Sequence, residues 1–510
     1  MDNVFELFRS RFPKDRSRPF IETGGGRVYT YAEMEDASGR IARLLANLGV
    51  SPGTRVAVQV DKSPETVFLY LACLRVGAVF LPLNTAYKGR ELEYFFGDAE
   101  PRVVVCWPEA EAGLRAIAGR AAVAHLFTLD GAGGGTLMDR CAGLSGDFPT
   151  AARAVDDVAA ILYTSGTTGV SKGAMLSHGN LGANALALHR AWGWEPDDVL
   201  LHALPIYHTH GLFMAIHCVL LNGTGMLFMP RFDVAEVMRL LPRATVFMGV
   251  PTHYVRLLGD PGFRANGRAL CRDMRLFISG SAPLLGETFH AFRTLTGHTI
   301  LERYGMTETG MNTSNPLPGE RRAGTVGFPL PGVEVRVAGA DGRVLRPGAV
   351  GVLELRGPNV FSGYWGMPEK TAEAFREDGF FITGDLARID GDGYVHIVGR
   401  AKDMVITGGL NVYPKEVETC IDEIEGVVES AVIGVPHPDF GEAVTAVVVR
   451  RPGCAAPTAA AVTAAVKDRL ANFKVPKAVH FIDELPRNAT GKVQKNVLRR
   501  RYGKTPVPAE

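Results

Sequence analysis

Short apolar runs alternate with segments of helical periodicity along the first three hundred or so residues. The runs that predict strands are Arg55 to Val60, Arg102 to Trp107, Val158 to Leu162, Thr245 to Val250 and Leu276 to Ser279. Ser63 is a favourable N-cap residue and Pro64 suits the first helical position, so a helix is predicted to begin there. The alternation is typical of βα units, and therefore of an α/β fold.

The pattern changes twice further along the chain. From about Gly324 to Ile397, short alternating strands separated by Gly- and Asp-rich turns predict a β-rich subdomain. After Lys402 a new pattern begins, with a helix from Pro414 to about Ile424 and strands at 430–435 and 443–449. We expect a large N-terminal domain over residues 1–399 and a small α+β C-terminal domain over residues 400–510.

The composition agrees with a multidomain globular enzyme. A chain of 510 residues exceeds what one hydrophobic core usually holds. A formal net charge of +1 gives no general attraction for nucleic acid. The seven cysteines are scattered without a C-x-x-C pair, so reduced core residues are expected. No signal peptide is evident, and Arg75 and Gly77 interrupt the longest apolar stretch, so no membrane span and a cytoplasmic protein are expected.

A run rich in glycine and hydroxyl residues, YTSGTTGVSKG, occupies residues 163–173. It follows a predicted strand and precedes a predicted helix, Asn180 to Trp192. Glycines allow a close backbone approach to phosphate, hydroxyls can surround its oxygens, and lysine adds charge. A flexible linker is the alternative, but a linker would need no strand before it, no lysine within it and no helix after it. The residues predicted to form this phosphate cradle are Thr164, Ser165, Gly166, Thr167, Thr168, Gly169 and Lys172.

Six motifs follow one another in a familiar order. They are YTSGTTGVSKG, ISGSAPL (278–284), YGMTE (304–308), ITGD (382–385), VGRAKD (398–403) and PRNATGK (486–492). Together they resemble the adenylate-forming superfamily, which includes acyl-CoA synthetases, peptide-synthetase adenylation domains and beetle luciferases. The resemblance implies a mobile C-terminal domain. It also implies a reaction in which a carboxylate attacks the α-phosphate of Mg²⁺-bound ATP and a thiol, here coenzyme A, then displaces AMP.

The resemblance also assigns nucleotide-binding residues. Tyr304 looks like the ring that stacks on adenine, although a core tyrosine is the alternative. Asp385 is expected to accept hydrogen bonds from the ribose hydroxyls, and Arg400 to contact ribose or phosphate. The other residues expected at the nucleotide are Ser281, Ala282, Pro283, Glu302 and Arg303.

Catalytic roles follow from the same motifs. Glu308 is expected to hold Mg²⁺, and the Thr307 hydroxyl to meet a phosphate oxygen. Lys492 would stabilise charge at the α-phosphate in the first step. Its acetylation by a lysine acetyltransferase, reversed by a deacetylase, would remove that charge. By resemblance, Lys402 occupies the hinge position. Rotation there would bring the glycine pair Gly408 and Gly409 to the active site, where it could approach the pantetheine arm closely.

Three further strings resemble malonyl-CoA synthetases. They are HALPIYHTHG (202–211), MGVPTHYVRLL (248–258) and MTETGMNTSNP (306–316). Malonate, and equally methylmalonate, keeps a second carboxylate whose burial requires a cation. Arg256 is the predicted partner, although it could also be a solvated helix residue. The acyl pocket is expected to include His208, Ser281 and Met306, whereas His253 replaces an expected apolar residue.

Other functions stay open at this point. A synthetase for acetate or a longer apolar acid would leave Arg256 in solvent. An adenylation enzyme could instead load a separate carrier protein. A catalytically silent nucleotide-binding regulator is disfavoured by Lys492, Glu308 and the intact glycine-rich run.

Overall fold

The computed structural model describes residues 2–164, 171–487 and 492–503. Its mixed α/β architecture, with a large N-terminal part and a smaller C-terminal part, confirms the predicted fold class. The strands in the described ranges are β1 Pro19–Thr23, β2 Val28–Thr30, β3 Arg55–Gln59, β4 Val79–Pro82, β5 Val103–Cys106, β6 His125–Thr128, β7 Val158–Thr164, β8 Lys172–Ser177, β9 Val199–His202, β10 Gly225–Phe228, β11 Val246–Gly249, β12 Leu276–Ser279, β13 Leu301–Met306, β14 Gly310–Ser314, β15 Phe328–Pro329, β16 Glu334–Ala338, β17 Gly351–Arg356, β18 Gly363–Tyr364, β19 Phe381–Ile389, β20 Val395–Arg400, β21 Val405–Thr407, β22 Leu410–Val412, β23 Val427–His437, β24 Gly441–Arg450 and β25 Ala478–Ile482.

Helices cover the faces of the N-terminal sheets and of the C-terminal sheet. They are α1 Val4–Arg9, α2 Tyr31–Asn47, α3 Pro64–Val76, α4 Gly89–Ala99, α5 Glu111–Arg120, α6 Thr136–Cys141, α7 His178–Trp192, α8 His217–Asn222, α9 Val234–Leu240, α10 Pro251–Gly259, α11 Pro261–Leu270, α12 Gly286–Thr296, α13 Pro368–Glu373, α14 Pro414–Asp422, α15 Ala459–Arg469 and α16 Lys495–Tyr502. A π-helical turn, His210–Ile216, leads into α8. Among the helices that the structure describes, none is long and apolar enough to cross a membrane.

Two large sheets form the N-terminal part. One has the strand order β15-β14-β13-β12-β11-β9-β10-β1-β2, and the other has the order β18-β8-β7-β4-β3-β5-β6. Strands β9 to β13 pair in parallel, so their carboxyl ends lie along one edge of the first sheet. Ligands of α/β proteins bind at such an edge.

The glycine-rich run differs from the prediction in its connection. Strand β7 is followed by a second strand, β8, with which it pairs antiparallel, and helix α7 begins only after β8. Thr164 and Lys172 are opposite one another in this pair, at the two ends of the run. The predicted strand–loop–helix order is therefore wrong, because KGAML forms an almost continuous apolar strand beside β7. Residues 165–169 of the predicted cradle lie outside the described residues.

Two smaller sheets follow. The order β16-β17-β19-β20 forms the β-rich subdomain, and β21 to β25 form a separate sheet packed with α14 and α15. The chain leaves the first of these sheets at Arg400, passes through a one-turn 3₁₀ helix, Ala401–Asp403, and enters the second at Val405. The division of the chain into domains at residue 400 stays a prediction.

Helix α3 begins where the sequence predicted it. Its N-cap residue Ser63 is 1% exposed, and the Ser63 hydroxyl accepts a hydrogen bond from the Thr66 amide at 3.2 Å. Every residue of α3 is buried, so water cannot replace that acceptor.

Replacing Ser63 with alanine should therefore destabilise the N-terminal part by about 1 kcal/mol, the typical value of an N-cap. Chemical denaturation followed by circular dichroism measures the change. Ser10→Ala removes an exposed hydroxyl at the end of α1 and serves as the control. Equal stability of the two variants would contradict the assigned role of the Ser63 cap.

Candidate active site

Tyr304, Asp385 and Arg400 come together although they lie far apart in the sequence. The Tyr304 hydroxyl donates to Asp385 Oδ2 at 2.5 Å, and Arg400 Nε donates to Asp385 Oδ1 at 2.8 Å. Arg400 also donates to the Thr383 carbonyl at 3.2 Å, which fixes the guanidinium against strand β19. Each oxygen of Asp385 keeps a further lone pair, so it can still accept a ribose hydroxyl.

Glu308 lies in the turn between β13 and β14. It is 7% exposed, and the Tyr364 hydroxyl donates to its Oε1 at 3.3 Å. Lys172 Nζ lies 4.6 Å from the centroid of the Tyr364 ring, which links the end of the glycine-rich run to this turn. Burial raises the pKa of Glu308 above its ordinary value. A buried carboxylate near the end of the glycine-rich run fits a site for Mg²⁺, which prefers one or two carboxylates with phosphate oxygens.

A second group of side chains lies at the carboxyl ends of β9, β11, β12 and β13. Arg303 is 3% exposed, and within the described residues its Nε and Nη2 atoms have no hydrogen-bond acceptor. Burial lowers the pKa of Arg303 to about 9. Its charge acts on His208 and His210, whose pKa values are lowered first by burial and then by Arg303, that of His208 to about 4. Both imidazoles are therefore neutral at pH 7.

The turn after β12 holds Ser281 in contact with this group. Ser281 has a φ of 70°, in the left-handed region that non-glycine residues rarely adopt. Its Oγ lies 3.2 Å from His210 Nδ1, while the other ring nitrogen of His210 is buried without a partner in the described part of the chain. Strain of this kind is kept where it positions a functional group. Ala282 and Pro283 follow in the same turn; Ala282 is half-buried like Ser281, and Pro283 is exposed.

Glu302 precedes Arg303 on β13, and its side chain has different neighbours. Its Oε1 accepts the Leu284 amide at 2.9 Å, and burial raises its pKa to about 8. Lys415, at the start of α14 in the C-terminal sheet domain, is among the charges that act on it. Glu302 is therefore close to the junction between the two parts of the chain.

Lys492 comes from the C-terminal segment and faces the same site. The residue is exposed, yet crowding by protein lowers the pKa of Lys492, as does the positive charge of Arg400, while Asp385 acts in the opposite direction. Solvent screens this shift. Lys492 also lowers the pKa of His208. The lysine thus lies within electrostatic reach of both the Asp385 group and the histidines.

The remaining predicted site residues differ in their surroundings. Arg256 is exposed on helix α10, whereas the guanidinium that is buried beside His208 and His210 is that of Arg303. Met306 is half-buried and accepts a weak contact from the Tyr304 hydroxyl at 3.8 Å. Gly408 and Gly409, with φ values of 56° and 79°, form the turn between β21 and β22. Lys402 lies in the 3₁₀ turn that joins the two parts, and Thr307 lies beside Glu308.

Gly280 and Tyr364 belong to the site but were not predicted as individual contacts. A Cβ at Gly280 would lie 2.4 Å from Arg303 Cζ, so a glycine is needed there. Tyr364 lies on β18, which pairs with β8 and so brings the tyrosine to Glu308. Both contacts join residues that are distant in sequence, and only the glycine of ISGSAPL gave a local signal.

Gly280→Ala should force the Arg303 guanidinium out of its position, at a cost of about 1–3 kcal/mol for overpacking a buried site. Urea denaturation measures this change. Gly286→Ala is the matched control, because a Cβ there meets nothing within 4 Å. A Gly280→Ala protein as stable as that control would show that Arg303 moves away freely.

Family models match most of the chain. The model for AMP-binding enzymes matches residues 8–365, and that for the C-terminal domain of AMP-binding enzymes matches residues 416–492. A feruloyl-CoA synthase from Amycolatopsis sp. is 38% identical, covering 94% of this chain and 95% of the relative. A malonate–CoA ligase from Arabidopsis thaliana is 33% identical, covering 98% and 89%.

Solved structures also resemble the whole chain. ATP-bound MatB from Rhodopseudomonas palustris is 55% identical, with a TM-score of 0.95 and coverage of 98% of this chain and 99% of that chain. Apo MatB from the same organism, at the same identity and coverage, gives a TM-score of 0.85. Over the whole chain, this structure is thus more similar to the ATP-bound than to the apo structure of MatB.

Proposed function

Because the chain belongs to the family of AMP-binding enzymes, we propose that it joins malonate to coenzyme A in an ATP-dependent reaction. In the first step one malonate carboxylate attacks the α-phosphate of ATP, and pyrophosphate leaves. In the second step the thiol of coenzyme A attacks the acyl carbon, loses its proton, and displaces AMP. The product is malonyl-CoA.

The nucleotide is assigned to the residues that converge on β13 and β19. Asp385 and Arg400 would bind the ribose, Tyr304 would flank the base, and the run from Thr164 to Lys172 would bind the phosphates. Glu308 would hold Mg²⁺, which neutralises charge on the phosphates, with Thr307 beside it. The hydrogen bonds and the burial of these groups support the assignment.

The choice of malonate rests on one observation, the buried Arg303 guanidinium, two of whose nitrogen atoms lack an acceptor among the described residues, beside two neutral histidines. A buried cation without a carboxylate partner is costly, and an anionic ligand would remove that cost. The fork of an arginine can bind a carboxylate through two parallel hydrogen bonds. We therefore assign the second carboxylate of malonate to Arg303, with His208, His210 and Ser281 beside it, and not to the exposed Arg256.

Ferulate is a second candidate substrate, since a feruloyl-CoA synthase is 38% identical to this chain. Ferulic acid has a single carboxyl group, which becomes the thioester, so the Arg303 charge would stay unpaired in that reaction. The malonate–CoA ligases from Arabidopsis thaliana, Mus musculus and Homo sapiens, at 33–36% identity, support the dicarboxylate. Methylmalonate is proposed as a second substrate, with half-buried Met306 near its methyl group.

Lys492 is assigned to the first step. Its position within reach of Asp385, Arg400 and His208 suits a charge that stabilises the developing negative charge at the α-phosphate. Rotation about Lys402 would then replace it with the turn at Gly408 and Gly409 for the second step. Control of the first step by acetylation of Lys492 remains a prediction from the sequence.

Arg303→Met is expected to lower kcat/KM for malonate by about 100-fold or more, since truncating one partner of a buried charge pair costs roughly 2–5 kcal/mol. Coenzyme A-dependent AMP release with malonate, methylmalonate, propanoate and ferulate measures the selectivity. Arg256→Met is the matched control and should behave as the unaltered protein does. Preference of the unaltered protein for ferulate or propanoate would overturn the malonate assignment.

Lys492→Ala is expected to lower malonate-dependent pyrophosphate exchange by about 100-fold, because a charge aimed at the transition state is lost. Thioester formation from preformed malonyl-adenylate should stay within about threefold of the unaltered rate. Lys467→Ala, an exposed change on α15, controls for the loss of a surface charge. Equal losses in both half-reactions would refute the assignment of Lys492 to the first step alone.

A further inference from the structure

Lys62, which is half-buried, brings a second cationic side chain to the edge of the sheet that carries Arg303. It follows β3 of the second sheet and reaches across to the first. Lys62 Nζ donates to the His202 carbonyl at 2.9 Å and to His202 Nδ1 at 2.8 Å, and it lies 4.2 Å from the centroid of the Phe228 ring. Its three neighbours are thus an imidazole, a carbonyl and an aromatic face, and none of them is an acid.

The protonation of His202 follows from its other contact. His202 Nε2 lies 2.9 Å from the Gly211 carbonyl, which can only accept, so Nε2 carries the proton. Nδ1 is then the acceptor for Lys62, and the imidazole is neutral. Burial and the Lys62 charge both lower the pKa of His202 well below its usual value, which agrees with this tautomer.

The surroundings of Lys62 lead directly to the proposed acyl site. Gly211 is adjacent to His210 in the π-helical turn, and His210 contacts Ser281. His253, which stacks on Phe232 at 4.0 Å, has its pKa lowered to about 3, by burial first, then by Arg256 and then by Lys62. The electrostatic effects of His202, His253 and Arg303 all reach His210.

Carboxylates do not balance this charge in the described part of the chain. Burial lowers the pKa of Lys62 well below its ordinary value, so the ammonium form is costly in the empty site and a carboxylate bound nearby would favour it. The neighbouring acid in sequence, Asp61, is exposed, and solvent screens its charge. The carboxylate next to Arg303 in sequence, Glu302, has a pKa raised to about 8 by burial and is therefore largely neutral at pH 7.

We propose that Lys62 is a specificity-determining residue whose ammonium supplies a second positive charge, in addition to that of Arg303, that favours an acyl group bearing another carboxylate. The inference rests on the proposed function and deepens it. Charges attract over longer distances in a water-poor interior than in solvent, so Lys62 need not touch the substrate. A monocarboxylate becomes neutral at the acyl end after activation and gains nothing from this charge.

The test compares kcat/KM for malonate with that for propanoate, which carries a methyl group in place of the second carboxylate. Lys62→Met removes the charge and the donors, Lys62→Gln keeps donors without charge, and Lys62→Arg keeps both. We expect the malonate-to-propanoate ratio to fall about tenfold or more in the Met and Gln variants and to stay within about threefold in the Arg variant. Lys370→Met, an exposed change on α13, is the control for losing a lysine.

Each outcome has a distinct meaning. Equal losses with both substrates would make Lys62 a structural residue and overturn the proposal, as would an unchanged ratio. A parallel fall in the Gln and Arg variants would overturn it too, because charge would then not matter. If the Met variant fails to fold, the Gln and Arg variants decide alone. An unaltered protein without preference for malonate would defeat the proposed function itself, whereas a preference that survives Lys62→Gln defeats only this inference.

Discussion

The burial of the Arg303 guanidinium is the constraint on which the rest of the site depends. The side chain needs a glycine at position 280 to fit, and it keeps two nitrogen atoms without acceptors in the described structure. Burial, and then the charge of Arg303, lower the pKa of the neighbouring histidines, so that these side chains offer hydrogen bonds without adding further repulsion. A protein tolerates a buried, unpaired charge where a ligand supplies the missing partner. The free energy that this charge costs in the empty site then favours ligands of the opposite charge.

The sequence predicted most elements because their signals are local. Ser63 and Pro64 predicted the start of a helix, which the structure has at Pro64. Leu276–Ser279 is a strand with the predicted bounds. The glycine-rich run misled at one point, since Lys172 to Ser177 continues as a strand and not as a loop before a helix. A short apolar run without flanking turn residues is compatible with a strand and with a loop before a helix. In the structure, pairing with β7 favours the strand.

Short motifs named the candidate site residues, but they could not predict contacts between residues that lie far apart in the chain. The motifs named Tyr304, Asp385 and Arg400, yet their hydrogen bonds with one another join strands 81 residues apart in the case of Tyr304 and Asp385. Arg303 was expected at the nucleotide and Arg256 at the acyl group, because spacing alone cannot tell a buried arginine from an exposed one. Lys62 gave no signal at all, since its partners lie on another sheet.

Arg400 lies both at the proposed ribose site and next to the proposed hinge. It is held by Asp385 at 2.8 Å, and the next residues form the short turn Ala401–Asp403 that leads into the C-terminal sheet. The residue proposed to grip the ribose is therefore also the last anchored point before the proposed pivot at Lys402. If the C-terminal part turns about Lys402 as proposed, a nucleotide bound at Arg400 would restrain the backbone immediately before that pivot, so AMP binding would oppose the rotation.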